Sequence, residues 1–211
     1  MPNPFSKLQS HSLPGNLFAS VVDDSQIIIE SRTNEKILFS TFDLKSGNLI
    51  LETTSQKLTP WHSLVGIQDD YLIIQHFENR KNPDLASHFL YNQQTDEIMN
   101  ELEFFTNNTQ FSIPTLYLSE SPDFPLFQQF IDQKIVLGCE YQEYGNKIIM
   151  SYYLQVSNEY IRRLRILVDR KAVYDEVQDD GLKGFAPGSF FTFKNRLIFA
   201  QNKKEFNIYE I

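Results

Sequence analysis

A repeated hairpin pattern runs through the whole chain. In each copy a short apolar run enters a polar turn and returns as a second apolar run. A third β-like run follows each copy, and a fourth follows the first three. Repetition on this scale is typical of architectures built from similar sheets, so it constrains the fold more than any single residue does. The four copies are LFASVVDDSQIII (17–29), SLVGIQDDYLII (63–74), VLGCEYQEYGNKIIM (136–150) and SFFTFKNRLIF (189–199).

The spacing of the copies indicates the size of the repeating unit. The second strands begin at Ser25, Asp70, Asn146 and Asn195, so successive copies lie 45, 76 and 49 residues apart. Two of these spacings fit the roughly 40–50 residues of a four-stranded propeller blade. The sequence therefore predicts an all-β chain, folded as a small β-propeller-like disc of four or five antiparallel blades. The alternatives are a β-sandwich and an irregular barrel.

The last repeat is one strand short. Its three strands are predicted at 189–193, 197–201 and 205–211, and residues 4–10 have no other assignment. A ring of sheets must cover its edges, and a strand taken from the opposite terminus is one way to do so. We therefore predict that residues 4–10 form an N-terminal strand that closes the last blade. The whole chain, 1–211, is predicted to be a single domain.

The longest spacing contains an insertion at about 105–132. Within it, residues 115–119 predict a strand, and residues 127–131 predict either another strand or a short helix. Two interpretations of the insertion stay open, a degenerate fifth blade and a loop that covers one face of the disc.

Composition narrows the classes of partner and the cellular location. The formal net charge of −8 argues against nucleic acid as a partner, because neutralising phosphates requires a basic face. Uninterrupted apolar runs are too short for a transmembrane helix, and the N-terminal residues lack the apolar core of a signal peptide. The sequence thus predicts a cytoplasmic protein with no membrane partner. Its single cysteine, Cys139, excludes an intrachain disulfide and is interpreted as a small buried hydrophobe.

Candidate binding residues collect on the longer loops, where function tends to lie on a rigid scaffold. Trp61 and His62 follow a proline, and the indole could stack on a ligand ring or on the face of a sugar, or else simply fill a core. Arg32, Arg80 and Lys81 could bind a carboxylate or a phosphate through charge-assisted hydrogen bonds. The alternative for these cations is local ion pairing with neighbouring acids such as Glu30, Glu78 and Asp84, which contributes little energy when exposed.

Motifs for catalysis or for a cofactor do not occur in the sequence. Nucleophile elbows, phosphate-binding glycine loops and metal-type histidine spacings are all missing. His76 and His88 fall on neighbouring predicted strands, which predicts a cross-strand pair rather than metal ligands. We accordingly predict no catalytic residue, no metal and no cofactor.

Several segments together carry a resemblance to a known family. They are IIIESR (27–32), EKILFSTFDLKSGNLI (35–50), PWHSL (60–64), YLIIQHFENRKNPD (71–84), IIMSYYLQV (148–156) and PGSFFTFKNRLIFAQNKKEFNIYEI (187–211). They resemble an uncharacterised bacterial domain-of-unknown-function family over most of the chain. That resemblance implies no catalytic residue. The D-x-x-S-G turn at 43–47 also looks like the punctuation of quinoprotein propellers, but the tryptophan of each quinoprotein repeat is missing here, which argues against a quinone.

Three functions follow from these observations. The first is a non-enzymatic binding or protein-interaction module, whose partner is a protein or a small molecule. An alternative is an enzyme acting on a sugar or a small anionic metabolite in the funnel of the disc, which would need carboxylates such as Glu30, Glu120 or Glu140 to converge. The third is a purely structural subunit, which the sequence does not separate from the first.

Overall fold

A computed structural model describes residues 5–34, 36–78, 86–102 and 111–211, and over these ranges the regular structure is β-strand apart from two short helical segments. The described strands form four sheets, which we number I to IV in chain order. The chain divides into two compact units. One unit is His11–Gln110 and contains sheets I and II, while the other combines Met1–Ser10 with Phe111–Ile211 and contains sheets III and IV. The prediction of a single domain stays a prediction.

Sheets I and II are four-stranded antiparallel meanders, in which each strand pairs with the next one along the chain. Their strands are β2 (Asn16–Val22), β3 (Gln26–Arg32), β4 (Ile37–Asp43) and β5 (Leu49–Ser55) in sheet I, and β6 (His62–Gln68), β7 (Tyr71–Phe77), β8 (Ala86–Asn92) and β9 (Glu97–Leu102) in sheet II. The two sheets share one apolar core, in which Phe39 and Tyr91 are fully buried.

The β4–β5 turn depends on a glycine and on an aspartate side chain. At the β4–β5 turn, Gly47 has a φ of 74°, a conformation that side chains with a Cβ rarely adopt. Asp43 accepts hydrogen bonds on Oδ1 from the backbone N–H and the hydroxyl of Ser46, at 2.6 and 2.5 Å. These bonds and the conformation of Gly47 together reverse the chain between β4 and β5.

Sheet III is larger than its counterparts. It is a five-stranded antiparallel sheet in the order β10-β11-β12-β13-β14. Its strands are β10 (Thr115–Leu118), β11 (Val136–Tyr144), β12 (Lys147–Val156), β13 (Glu159–Val168) and β14 (Lys171–Leu182). The fifth strand, β10, comes from the predicted insertion and lies at the edge of the sheet beside β11. In the described residues, therefore, the insertion extends an existing sheet.

Sheet IV contains the predicted closure. It has the strand order β1-β17-β16-β15, with β1 at Ser6–Ser12, β15 at Phe190–Phe193, β16 at Arg196–Gln201 and β17 at Glu205–Glu210. Phe5 is buried with its ring stacked on Tyr209 at 4.4 Å, and Ser10 donates a hydrogen bond to Glu205. The prediction that an N-terminal strand lies beside the last strand of the chain is confirmed.

The strand pairs β2–β3, β6–β7 and β11–β12 each contain a shift in register. The pairing of the first and second strands slips between Leu17 and Ala19 in sheet I and between Leu64 and Gly66 in sheet II. In sheet III it slips after Val136. A bulge adds twist and re-aims side chains. Each of these three strand pairs is therefore irregular at one point along its length.

Candidate functional site

The insertion covers only part of one face of sheet III. A short helix, α1 (Phe124–Phe127), continues into a 3-10 helix at Gln128–Phe130. Pro125 fits the first turn of α1, where its missing N–H needs no partner. Phe124 and Phe127 are buried against the sheet, in a cluster that includes Tyr152 and Leu154 of β12. Within the described residues the insertion adds an edge strand and these two short helices to sheet III, while its interpretation as a fifth blade or as a loop over a face of the disc stays a prediction.

Beyond the short helices, the same face of sheet III is left open as a cleft of about 340 Å³. We call it the sheet III cleft. Its volume falls at the small end of the range of small-molecule sites in proteins. The lining residues come from the connection into β11 and from the β12–β13 hairpin, and they are Gln133, Lys134, Val136, Leu154, Gln155, Val156, Ile161 and Arg163.

The floor of the cleft is set by strand register. Leu154 pairs with Ile161 and Tyr152 pairs with Arg163 across β12 and β13, so all four side chains lie on one face. Leu154 is buried, whereas the side chain of Val156, two residues along, is 51% exposed. The apolar strip of this face therefore continues past the end of the covering helices into solvent.

The wall of the cleft is held by one glutamine. Gln128 Nε2 donates to the carbonyls of Ile131 at 2.8 Å and Gln133 at 2.7 Å, and its Oε1 accepts from the backbone N–H of Ile135 at 3.0 Å. These three bonds fix the connection that presents Lys134. Arg165 adds a further tie by donating to the carbonyl of Phe130. The cleft thus has a wall fastened to the sheet, which favours a preformed shape.

Positive charge is in excess around the cleft. Asp175 accepts from Arg163 Nε at 2.9 Å on Oδ1 and lies 3.1 Å from Arg165 Nε through Oδ2, so one carboxylate serves two guanidinium groups. Burial alone would lower the pKa of Arg163, but its hydrogen bond to Asp175 raises it. Burial, and then the charge of Asp175, raise the pKa of Tyr152 to about 12. Lys134 is exposed and makes no ion pair with any residue that the structure describes.

Arg32, a predicted binding residue, donates its hydrogen bonds to other groups of the same chain. Its Nε donates to Glu30 Oε1 at 2.5 Å and its Nη1 donates to the carbonyl of Pro60 at 3.0 Å, while Nη2 donates to the carbonyl of His62. The guanidinium also lies 3.3 Å above the ring of Phe18. The alternative given by the sequence, local pairing with Glu30, is therefore found. Arg32 fastens the segment that leads into β6.

His62, also a predicted binding residue, likewise makes contacts within the protein. It is buried at the start of β6, and its Nδ1 accepts a hydrogen bond from the backbone N–H of Thr59 at 3.0 Å. Its ring stacks on His76 of β7, with centroids 4.5 Å apart. Burial, and then the neighbouring His76, lower the pKa of His62. The predicted pairing of His76 with His88 was wrong, because the strand register places Gln75 opposite His88.

The remaining predicted residues divide between described and undescribed parts of the chain. Trp61 is partly buried in the turn before β6, where its carbonyl accepts from the N–H of Phe77 at 3.0 Å. The bonds of Arg32 to the carbonyls on either side of Trp61 bring Arg32, Trp61 and His62 together. Arg80 and Lys81 lie outside the described residues.

Two carboxylates that the enzyme alternative would need are structural anchors. Glu30 is fully buried and accepts from the backbone N–H of Leu64 at 2.7 Å. Burial raises the pKa of Glu30, while the bonds from Leu64 and Arg32 oppose that rise. Glu140, also buried, accepts from the N–H groups of Gly188 at 2.6 Å and Ser189 at 3.0 Å. Glu30 thus connects sheet I to β6 of sheet II. Glu140 connects sheet III to the segment just before β15 of sheet IV.

The thiol of Cys139 is also enclosed by the protein. Cys139 is fully buried, and burial, followed by the charge of Glu140, raises the pKa of its thiol. Across the described ranges, no cluster of three or more His, Cys, Asp or Glu could hold a metal ion. In the part of the chain that the structure describes, no helix is long and apolar enough to cross a membrane.

Sequence reasoning missed the sheet III cleft. Its floor residues belong to segments predicted as ordinary strands, and no feature of the sequence marks where the covering helices stop. One signal was available in the segment 154–161, because Val156 is an apolar residue next to a polar hairpin turn.

Comparison with protein-family models finds no match, and comparison with curated proteins finds none.

Proposed function

We propose that the protein is a non-enzymatic binding module that holds a small molecule in the sheet III cleft. The observation that supports this is the cleft itself, an apolar floor with a cationic rim and a wall fastened by Gln128. Pockets with a mostly apolar lining and a few polar groups are typical of ligand sites. The buried acids Glu30 and Glu140 are engaged with backbone N–H groups, so their positions favour anchoring over proton transfer.

The scaffold proposed for this site is a propeller-like repeat. Support comes from the strand order of each sheet, from the register shifts in β2–β3, β6–β7 and β11–β12 and from the N-terminal strand beside β17. Propeller blades are four-stranded antiparallel sheets, as sheets I, II and IV are. Cytoplasmic residence and a partner other than nucleic acid or membrane stay predictions from the sequence, as does the resemblance to a bacterial family.

A fragment screen by NMR tests the proposal directly. The ¹⁵N-labelled full chain is titrated with a library of small carboxylates, amines, sugars and aromatic compounds. We expect binding compounds to shift the amide signals of the β12–β13 hairpin end and of Lys134. Val156→Glu places a charge on the cleft floor and should abolish the shifts. The matched control is Val173→Glu, which changes another exposed valine of sheet III away from the cleft lining.

The same experiment distinguishes the sheet III cleft from a site at Trp61, and binding from catalysis. Shifts confined to residues around Trp61, and lost in Trp61→Ala, would move the site to the Arg32, Trp61 and His62 cluster. The appearance of product signals from any compound would overturn the non-enzymatic assignment. A library without binders at millimolar concentration would overturn the proposal.

A further inference from the structure

The chemistry of the sheet III cleft points to one class of ligand. Its apolar residues are Val136, Leu154, Val156 and Ile161, all branched aliphatics. No aromatic side chain is among the lining residues that the structure describes, although the chain contains 18 Phe and 10 Tyr. Flat rings gain their extra binding energy from stacking on aromatic side chains. The lining therefore suits a flexible alkyl chain better than a sugar or an aromatic ring.

The rim of the cleft suits an anion. Its charged members are Lys134 and Arg163, and none of the lining residues described is acidic. Arg163 and the adjacent Arg165 share the single carboxylate of Asp175. These four groups leave an excess of two positive charges beside the apolar floor, in a chain whose formal net charge is −8.

Two acids that flank the lining residues in sequence do not belong to the lining. Glu159, at the end of the same hairpin, is paired with Lys183. Asp132 precedes the wall, but its exposed side chain is not part of the lining. An anionic group that reached the rim would therefore meet Lys134 without a competing carboxylate inside the cleft. Charged hydrogen bonds from lysine and arginine to a carboxylate are among the stronger polar contacts in proteins.

We infer that the ligand of the sheet III cleft is an aliphatic monocarboxylate, with its alkyl chain on Leu154, Val156 and Ile161 and its carboxylate at Lys134. The inference rests on the proposed binding function and names the ligand class of that same site. Arg163 is a positioning residue, since Asp175 holds its guanidinium through Nε and through the backbone carbonyl.

Calorimetry and NMR with defined amphiphiles test this inference. Decanoate, kept below its micelle-forming concentration, is expected to bind the full chain and to shift the amides of the β12–β13 hairpin end. Octanoate should bind about fourfold more weakly, because each buried methylene contributes about 0.8 kcal/mol and an open cleft covers roughly half of it. Nonylamine, which has the same nine-carbon alkyl chain, and decylamine, which has one methylene more, carry the opposite charge and should each bind about tenfold more weakly than decanoate.

A pair of lysine variants isolates the contribution of the rim. Lys134→Gln should weaken decanoate binding about threefold, as expected for an exposed charge pair. Lys171→Gln removes the same charge from the turn at the other end of β13, roughly 30 Å along a ten-residue strand, and should leave binding unchanged. Because both lysines are exposed, neither change is expected to disturb folding.

Failure of this inference and failure of the proposed function give different results. Equal affinities for decanoate and decylamine, or equal weakening by the two lysine variants, would overturn the carboxylate assignment. Fragments that bind the cleft while decanoate does not would overturn the ligand class and leave the binding function standing. Absence of any ligand from the cleft would overturn both.

Discussion

Closure of sheet IV by the N-terminal strand can be tested at Phe5. Its side chain is only 4% exposed and lies in a core with Ile149, Leu164 and Phe199. The ring stacks on Tyr209 at 4.4 Å with an interplanar angle of 2°. It also meets Tyr174 edge-on at 5.3 Å. Phe5 thus contributes apolar burial and two aromatic contacts to the same site.

The expected cost of Phe5→Ala follows from these contacts. Full burial of a phenylalanine side chain contributes about 1.5–3 kcal/mol, and each aromatic pair adds about 0.5–1.5 kcal/mol. Phe→Ala substitutions in cores cost about 3–5 kcal/mol overall, so we expect a loss of about 4 kcal/mol in the free energy of unfolding. Phe5→Leu keeps most of the burial and loses the two ring contacts, for an expected loss of about 1.5 kcal/mol.

Urea unfolding followed by far-UV circular dichroism measures this loss. With a denaturant slope of about 2 kcal/mol/M, the midpoint of Phe5→Ala should fall by about 2 M. Hydrogen exchange should show faster exchange of amides in β17, since this strand lies beside β1. The matched control is Ile113→Ala, an apolar truncation at a side chain that is 67% exposed, which should cost less than about 0.5 kcal/mol.

A result at Phe5 that resembles the control would refute the reasoning. If Phe5→Ala and Ile113→Ala shift the midpoint equally, the N-terminal strand does not close sheet IV in solution. If Phe5→Ala does not fold at all, Phe5→Leu still gives a measurable loss on which the comparison can be made.

Two further predictions concern buried polar groups. Arg162→Leu should cost about 3–5 kcal/mol in urea unfolding, because it leaves the carboxylate of Asp179 buried without the Arg162 Nε donor now 2.8 Å from its Oδ2. Replacing both residues by Leu should recover most of this loss, and a double variant as unstable as the single one would contradict the charge argument. The pKa of His62 is lowered in the folded chain, so as the pH falls the unfolded chain becomes protonated at this residue at a higher pH than the folded chain does. The contribution of neutral His62 is therefore complete above pH of about 6.5 and is lost as pH falls towards its folded pKa. Urea midpoints followed by the fluorescence of the only tryptophan, Trp61, should fall over this acidic range, and His62→Asn should reduce the pH dependence of the midpoint. An unchanged pH dependence in His62→Asn would assign the effect to other groups.

Apolar runs between polar turns encode the strands, their order along the chain and the N-terminal strand of sheet IV. The predicted hairpins at 63–74 and 136–150 fall on β6–β7 and on β11–β12. Such predictions succeed because a strand with one or two buried faces imposes its period directly on the sequence. The end of β14 at Leu182 is not marked in the sequence, since the last part of this strand is polar and is stabilised by bonds that local sequence does not specify. One of these is the bond from Gln201 to the carbonyl of Val177.

Tertiary structure alone decided which polar residues are anchors and where a cleft is left open. Arg32 and His62 resemble binding residues in the sequence, yet each is used by contacts with residues distant along the chain or on the neighbouring strand. The sheet III cleft exists because the helices of the insertion end before the apolar strip of β12 and β13 does. Such a mismatch in length is a property of packed elements, and no local pattern in the chain encodes it.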